Sequence, residues 1–290
     1  MGGTGAGKTS LMLKFMLHYM DCQDPNSANK IVSKGWRRRP QILFLTHFTC
    51  ASSSSRNPVR MLRRFCNKIA AHYFLDKPED VPGDYEGLSE RFVSYCHEIG
   101  TSFRGDMLLV MVDSLEDLEL WNISSQSYIP KENASAVDWV PAKLPTMPLF
   151  PVRIILAVDP EADPEITRRL RYQQKSHQSN ELTIRPMDRN IRRETLKIML
   201  EKQSRSPFDM EKVIRNLSKL DACGVPMFMH YAVHQLSLGN PLPEQMEERL
   251  THLPTNVSDL CFHSILSVEK TVDGGTGYVR EILMLLACTR

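Results

Sequence analysis

The chain begins with a glycine-rich segment, Gly2-Gly3-Thr4-Gly5-Ala6-Gly7-Lys8-Thr9, that fits the pattern G-x-x-x-x-G-K-[ST]. Its glycines let the backbone turn N–H groups toward an anionic ligand without a Cβ in the way. In this pattern Lys8 reaches the β and γ phosphates of a nucleotide, and the Thr9 hydroxyl is placed to ligate Mg²⁺. The run from Ser10 to Met20 predicts a helix whose N-terminal dipole faces the phosphates. Residues 2–10 are therefore the predicted nucleotide-binding stretch.

This motif ordinarily follows a buried β-strand, and here only Met1 precedes it. Burying one large apolar side chain contributes roughly 1.5–3 kcal/mol. Four or five such side chains lost from the centre of a sheet amount to on the order of 6–15 kcal/mol, as much as the net stability of a domain. We therefore expect a parallel sheet with its first strand missing, in a chain that is a fragment of a longer protein or that begins at a late start codon.

Composition favours a cytoplasmic globular protein. The formal net charge of +2 gives no general attraction to nucleic acid or to an anionic membrane. The seven cysteines are scattered and form no C-x-x-C motif, which indicates reduced thiols. No apolar run approaches the roughly 20 residues that span a bilayer. We therefore expect no membrane span and no clear nucleic-acid site.

A second motif lies about a hundred residues further along the chain. The apolar run Leu108–Val112 ends in Asp113, as in a buried strand that carries a carboxylate at its C-terminal edge. There Asp113 would lie close to the Mg²⁺ held by Thr9. Glu116 or Asp117 would accept a proton from the attacking water or orient it, and Glu116 is the better candidate. The sequence thus predicts a metal pair, Thr9 and Asp113, and a catalytic acid.

Strands that alternate with helices predict an α/β fold with a parallel sheet, up to a boundary near Arg185-Pro186. Trp139 is the expected anchor of the long polar segment between the second and third strands. After the boundary, helical patterns dominate. The predicted strands are 41–47, 107–113, 152–158 and 182–184, and the later predicted helices are 189–203, 209–220, 225–238, 243–251, 256–270 and 277–289.

Some charged and histidine residues have a functional and a structural interpretation. The clusters Arg168-Arg169-Arg171 and Arg192-Arg193 would supply an arginine finger across an oligomer interface, but solvated helix faces are favoured. His230 and His234 have a spacing that suits a metal, but without a third ligand a surface pair is favoured. Thr46 and His47 end the predicted strand 41–47, where a polar residue would couple nucleotide state to loop position, but a core or edge histidine is favoured for His47.

Together these residues resemble the NACHT branch of the STAND nucleotide-binding proteins, in particular the nephrocystin-3-like and telomerase-associated-like group. The likeness covers most of the chain. The segments that carry it are Gly2–Thr9, His47-Phe48, Ser52–Ser55, Val59–Cys66, Val112–Leu118, Asp138–Pro141, Leu144-Pro145, Val152–Leu156 and Gly224–Pro226.

The resemblance implies a P-loop nucleotide-binding domain over 1–186, a small helical domain over 187–252, and the beginning of a winged helix over 253–290. It implies ATP and Mg²⁺ as cofactors and places Pro226 near the adenine. Such modules usually lie inside large repeat-containing proteins, whose flanking regions would bind protein partners. A nucleotide-dependent oligomer would be compatible with this role.

The resulting hypothesis is an ATP-binding, slowly hydrolysing molecular switch within a signalling or scaffold protein. The alternative is a catalytically inactive nucleotide-binding or scaffold module, because the first strand is missing and Asp159 stands where related ATPases carry a γ-phosphate-sensing arginine. A small-metabolite kinase is a weaker third interpretation. The tandem acids after the second motif and the helical C-terminal half argue against it.

Overall fold

A computed structural model of the chain describes its fold in two compact units. The first unit comprises Met1–Gly3 and Lys8–Thr183, and the second comprises Thr4–Gly7 and Ile184–Arg290. The described residues are 1–23, 42–75, 80–102, 107–119, 121–122, 127–128, 137–141, 152–174, 180–203, 210–237 and 243–271.

The first unit contains a three-stranded parallel sheet with the order β1-β2-β5, formed by β1 (Ile42–Phe48), β2 (Met107–Asp113) and β5 (Val152–Leu156). All seven residues of the central strand β2 are buried. A strand covered on both faces requires this continuous apolar run. The predicted parallel α/β architecture is confirmed.

Four helices of the first unit are α1 (Lys8–Gln23), α2 (Pro58–Tyr73), α3 (Tyr85–Ser102) and α4 (Pro164–Gln174). Helix α2 has strong start and stop signals. The Asn57 side chain accepts a hydrogen bond from the Arg60 N–H, Pro58 occupies the first turn, and Phe74 ends the helix in the left-handed conformation.

The core of the first unit lies where α2 and α3 pack on the sheet. Trp139 is fully buried there and meets the Phe92 ring edge-on at a centroid distance of 5.6 Å, so it anchors its segment as predicted. The largest fully buried side chains of this core are Phe65, Phe92, Tyr95, Trp139, Leu45, Met61, Leu62, Ile69, Leu88, Ile99 and Leu108.

One sequence-based expectation in this unit is wrong. Residues 182–184 form no strand, because Leu182 is 67% exposed and its carbonyl accepts a hydrogen bond from the Met1 amine at 2.5 Å, outside any sheet ladder. In the long polar segment that follows β2, β3 (Trp121–Asn122) and β4 (Ser127–Tyr128) form a short antiparallel pair.

The described part of the second unit is helical, as the sequence predicts. Its core includes Leu196, Phe228, Met229, Val233 and Leu260. Its helices are α5 (Arg189–Gln203), α6 (Met210–Leu217), α7 (Pro226–Ser237), α8 (Pro243–Thr251) and α9 (Val257–Thr271).

The helix predicted at 277–289 lies outside the described residues, and the three domain boundaries and the winged helix stay predictions. Within the described segments, none of the helices combines the length and apolarity needed to cross a membrane.

Candidate functional site

The glycine-rich loop takes a conformation that depends on two of its glycines. Gly5 has φ +75° and Gly7 has φ +93°, values that other residues rarely adopt. A Cβ on Gly5 would also lie 2.8 Å from the Met227 Cβ, whereas one on Gly7 would be 3.8 Å from the Pro226 ring. Loop residues 4–7, which belong to the second unit, thus pack against the start of α7. This helix begins with Pro226, the residue that the resemblance predicts to lie near the adenine.

Lys8 lies at the centre of a charged cluster in the first unit. Its ammonium donates to the carbonyls of Gly2 at 2.6 Å and Gly3 at 3.3 Å. It also forms ion pairs with Asp159 at 3.6 Å and Glu116 at 3.9 Å. The side chains of Lys8, Asp159 and Glu116 are no more than 10% exposed, so these charges interact with little solvent screening.

Thr9 and Asp113, the predicted metal pair, are in direct contact. The Thr9 hydroxyl donates a hydrogen bond to Asp113 Oδ2 at the carboxyl end of β2. Asp113 is 3% exposed, and among the described residues its buried Oδ1 has no hydrogen-bond partner. A buried carboxylate oxygen beside a hydroxyl is a ligand set that Mg²⁺ prefers.

These two residues fit a magnesium ion that is shared with a phosphate. In the described part of the chain, no three His, Cys, Asp or Glu side chains gather as a metal cluster. Magnesium is commonly bound by one or two protein groups, substrate phosphates and waters, so a full protein cage is unnecessary.

The two candidate catalytic acids point to different surroundings. Glu116 lies beside Lys8, and burial raises the pKa of its carboxyl. Its buried Oε2 finds no hydrogen-bond partner within the described segments. Asp117 accepts a hydrogen bond from the Cys50 thiol at 2.9 Å and is half-buried. Of these two candidate acids, Glu116 is the one that lies beside Lys8.

Asp159 is the member of the cluster that sequence reasoning missed as a partner of Lys8. The sequence indicates it only as the residue that stands where related ATPases carry a sensor arginine. The available signal was its position just after β5, because carboxyl ends of neighbouring parallel strands meet at one edge of a sheet. Asp159 is 3% exposed, and its Oδ1 accepts the Glu161 N–H at 3.0 Å.

The remaining predicted loop residues differ in their burial. Gly2 is buried, and its N–H donates to the Val158 carbonyl at 3.2 Å. Thr4 and Ser10 are exposed, and Ala6 is half-buried. Their assignment to nucleotide binding stays a prediction.

His47 ties the end of β1 to the following loop, which suits the favoured structural interpretation. Its Nε2 lies 2.6 Å from the Ser55 carbonyl, and its Nδ1 lies 3.1 Å from Nη2 of Arg64. Burial lowers the pKa of His47, so the neutral ring donates from Nε2 and accepts at Nδ1.

Arg192 departs from the expected solvated helix face. Its guanidinium donates to the carbonyls of Met187 at 2.7 Å and Leu220 at 3.0 Å, and its side chain is 13% exposed. Its guanidinium therefore stabilises the second unit. The exposed Arg168, Arg169, Arg171 and Arg193 are paired with Glu165, Glu181 and Glu211, and His230 and His234 are exposed.

Comparison with known proteins adds little to this geometry. No protein-family model matches the chain, and no curated protein matches it. Among solved structures, the chain is similar to one described as the structure of the Aeropyrum pernix ORC2 protein in ADPNP–ADP complexes, with 12% sequence identity and a TM-score of 0.46. The match covers 89% of this chain and 60% of the length of that chain. A likeness this distant carries over neither a fold assignment nor a function.

Proposed function

We propose that this chain binds ATP with Mg²⁺ and acts as a slowly hydrolysing molecular switch of the NACHT/STAND kind within a larger signalling or scaffold protein. The contact between Thr9 and Asp113 carries the proposal. It joins the residue after the loop lysine to a strand-end carboxylate whose second oxygen is buried without a partner among the described residues.

The loop amides and Lys8 would hold the phosphates, and Thr9 and Asp113 would hold the magnesium ion. When bound, Mg²⁺ neutralises phosphate charge as it develops during phosphoryl transfer. Glu116 would orient the attacking water and accept its proton, with Asp117 as the second candidate. Pro226, as the resemblance implies, would contact the adenine.

The carboxylates around Lys8 affect the conditions under which ATP binds. One cation, Lys8, faces the carboxylates of Glu116 and Asp159, while Asp113 lies one contact away through Thr9. A triphosphate brought to this cluster without a divalent cation adds negative charge to buried carboxylates, which is costly where screening is weak. Binding should therefore depend strongly on Mg²⁺.

The binding test compares two lysines of the same helix by titration calorimetry with MgATP. Lys8→Ala should weaken binding roughly 10- to 150-fold, the loss of one or more charged hydrogen bonds. Lys14→Ala is the matched control, since Lys14 is exposed one and a half turns further along α1. Equal affinity of wild type and Lys8→Ala, or equal binding in excess EDTA, would refute the site.

The catalytically inactive module remains the second candidate because of one observation. Asp159, which stands where related ATPases carry a γ-phosphate-sensing arginine, pairs with Lys8 as an acid at 3.6 Å. Phosphate release should distinguish the two functions. Turnover that Glu116→Gln abolishes and Asp117→Asn retains supports the switch, whereas MgATP binding without turnover in wild type supports the inactive module.

A further inference from the structure

Helix α2 has a cationic face that the nucleotide site does not use. Its exposed side includes Arg60, Arg63, Arg64 and Lys68, and its sequence contains no acidic residue. Arg60, Arg64 and Lys68 recur every four residues, which sets successive charges about 6 Å apart along the helix. We call Arg60, Arg63, Arg64, Asn67, Lys68 and Ala71 the α2 strip; they line an open groove of about 440 Å³.

Two of the cations are held in place by the backbone. Arg63 donates to the Gly83 carbonyl at 2.8 Å, and Arg64 donates to the Thr46 carbonyl at 2.7 Å. Each of these contacts uses one of the five guanidinium N–H groups, so donors remain for a ligand. Because the opposite face of α2 is packed in the core, the strip is a rigid platform.

Among the residues that the structure describes, the strip has no counter-charges, unlike α4, the other arginine-rich helix of this unit. On α4, Glu165 pairs with Arg168 and Arg169 at 2.8 and 3.0 Å. Among the described residues, no acid lines the α2 groove, and Arg60 and Lys68 form no ion pair. The uncompensated charge therefore favours an anion supplied from outside.

An exposed aromatic ring lies beyond the end of the strip. Phe74 is 92% exposed in the left-handed turn that ends α2, three residues after Ala71. A fully exposed phenyl ring gains nothing from folding, but it offers a flat surface on which a base can stack.

We propose that the α2 strip, with Phe74, binds the backbone and a base of a single-stranded nucleic acid. Regularly spaced cations match a chain of phosphates, and arginine forks bind phosphate oxygens with two parallel hydrogen bonds. An aromatic ring beside a cationic groove is the combination that binds single strands without sequence preference. An anionic membrane suits this face less well, because a membrane-surface helix presents several apolar side chains and this face offers one.

The test uses the full chain, without nucleotide, and a fluorescein-labelled 20-residue oligothymidylate. Anisotropy titrations at several salt concentrations should give an association constant whose logarithm falls linearly with the logarithm of the salt concentration. The double variant Arg60→Glu, Lys68→Glu should lose at least 10-fold in affinity and about 1.4 of the salt slope, the share of two phosphate contacts on a single strand. Phe74→Leu should lose about 5-fold or more with an unchanged salt slope.

The matched control is Arg168→Glu, Arg169→Glu, which changes the net charge of the same unit by the same amount. Arg60→Gln, Lys68→Gln provides a milder variant if charge reversal impairs folding. The proposal is overturned if wild type does not bind the oligonucleotide, or if both charge reversals weaken binding equally. It is also overturned if phosphatidylserine vesicles or poly-glutamate bind the strip as tightly, since the partner would then be a membrane or an acidic protein.

Discussion

Helices α1 and α2 have the same length, 16 residues, but they are held in the first unit by different forces. Helix α2 buries nine side chains. Of the α1 side chains that the structure describes, Met12 alone is buried, while Leu11, Leu13, Leu17 and Met20 are 38–53% exposed. Its first two residues, Lys8 and Thr9, make polar contacts at the carboxyl end of β2, and its half-buried Phe15 and Met16 pack with Met12 on a small apolar cluster of the sheet. The position of α1 therefore depends on a small apolar contact and on charges that a ligand would rearrange, whereas that of α2 depends on a large core.

The largest expected difference between the helices is in stability. Phe65→Ala in α2 should lower the free energy of unfolding by about 3–5 kcal/mol, because Phe65 is fully buried. Leu17→Ala in α1 should change it by no more than about 0.5 kcal/mol, because Leu17 is 51% exposed. Urea unfolding followed by circular dichroism measures both. A cost for Leu17→Ala close to that for Phe65→Ala would show that α1 is covered in solution.

The next difference concerns the response to nucleotide. MgATP at 100 times its Kd should stabilise the bound unit by about 2.7 kcal/mol. If the ligand contacts the first turn of α1, hydrogen exchange should slow in residues 8–23, while α2 amides already protected by the core change least. Lys8→Ala at the same MgATP concentration is the control and should show less slowing, because binding that is 10- to 150-fold weaker lowers the stabilisation to about 0.3–1.4 kcal/mol. Equal slowing in both helices would contradict the comparison.

The loop before α1 allows a smaller, matched test of backbone conformation. Gly5→Ala should cost about 1–2 kcal/mol from the left-handed backbone alone, in addition to the close approach to Met227. Gly3→Ala is the control, because a Cβ there meets no atom within 4 Å and its φ is not positive. Thermal melts and MgATP affinity measure the two variants. Equal effects would mean that the loop conformation differs in solution.

The sequence was sufficient for the elements whose signals are local. The glycine pattern predicted the loop, and the apolar run before Asp113 predicted β2. Contacts between side chains that lie far apart in the chain were harder to predict from the sequence. The contact between Lys8 and Asp159 joins residues 151 positions apart, and it follows from strand order that spacing alone does not encode.

The two errors have a common physical origin. Leu182–Ile184 has strand-forming residues, but a strand needs a neighbour for its backbone, and its tertiary surroundings provide none within the described sheet. Arg192 has the composition of a surface residue, but two carbonyls that chain reversal brings near it give its guanidinium internal acceptors. In both cases tertiary context outweighed local preference.

The smallest expected effect is on the pH dependence of stability. It tests the buried Glu116 separately from the surface charges of α2. Burial raises the pKa of Glu116 in the folded chain, so the native state holds a proton that the unfolded state has lost. Stability should therefore fall as pH rises from the ordinary glutamate range through this raised pKa. Glu116→Gln should flatten that slope in melts from pH 4 to 7, and Glu165→Gln, in the exposed α4 cluster, should not.

The rate of ATP hydrolysis should rise over the same pH interval, because only the ionised carboxylate of Glu116 accepts a proton. A rate that is constant there would assign proton acceptance to another group.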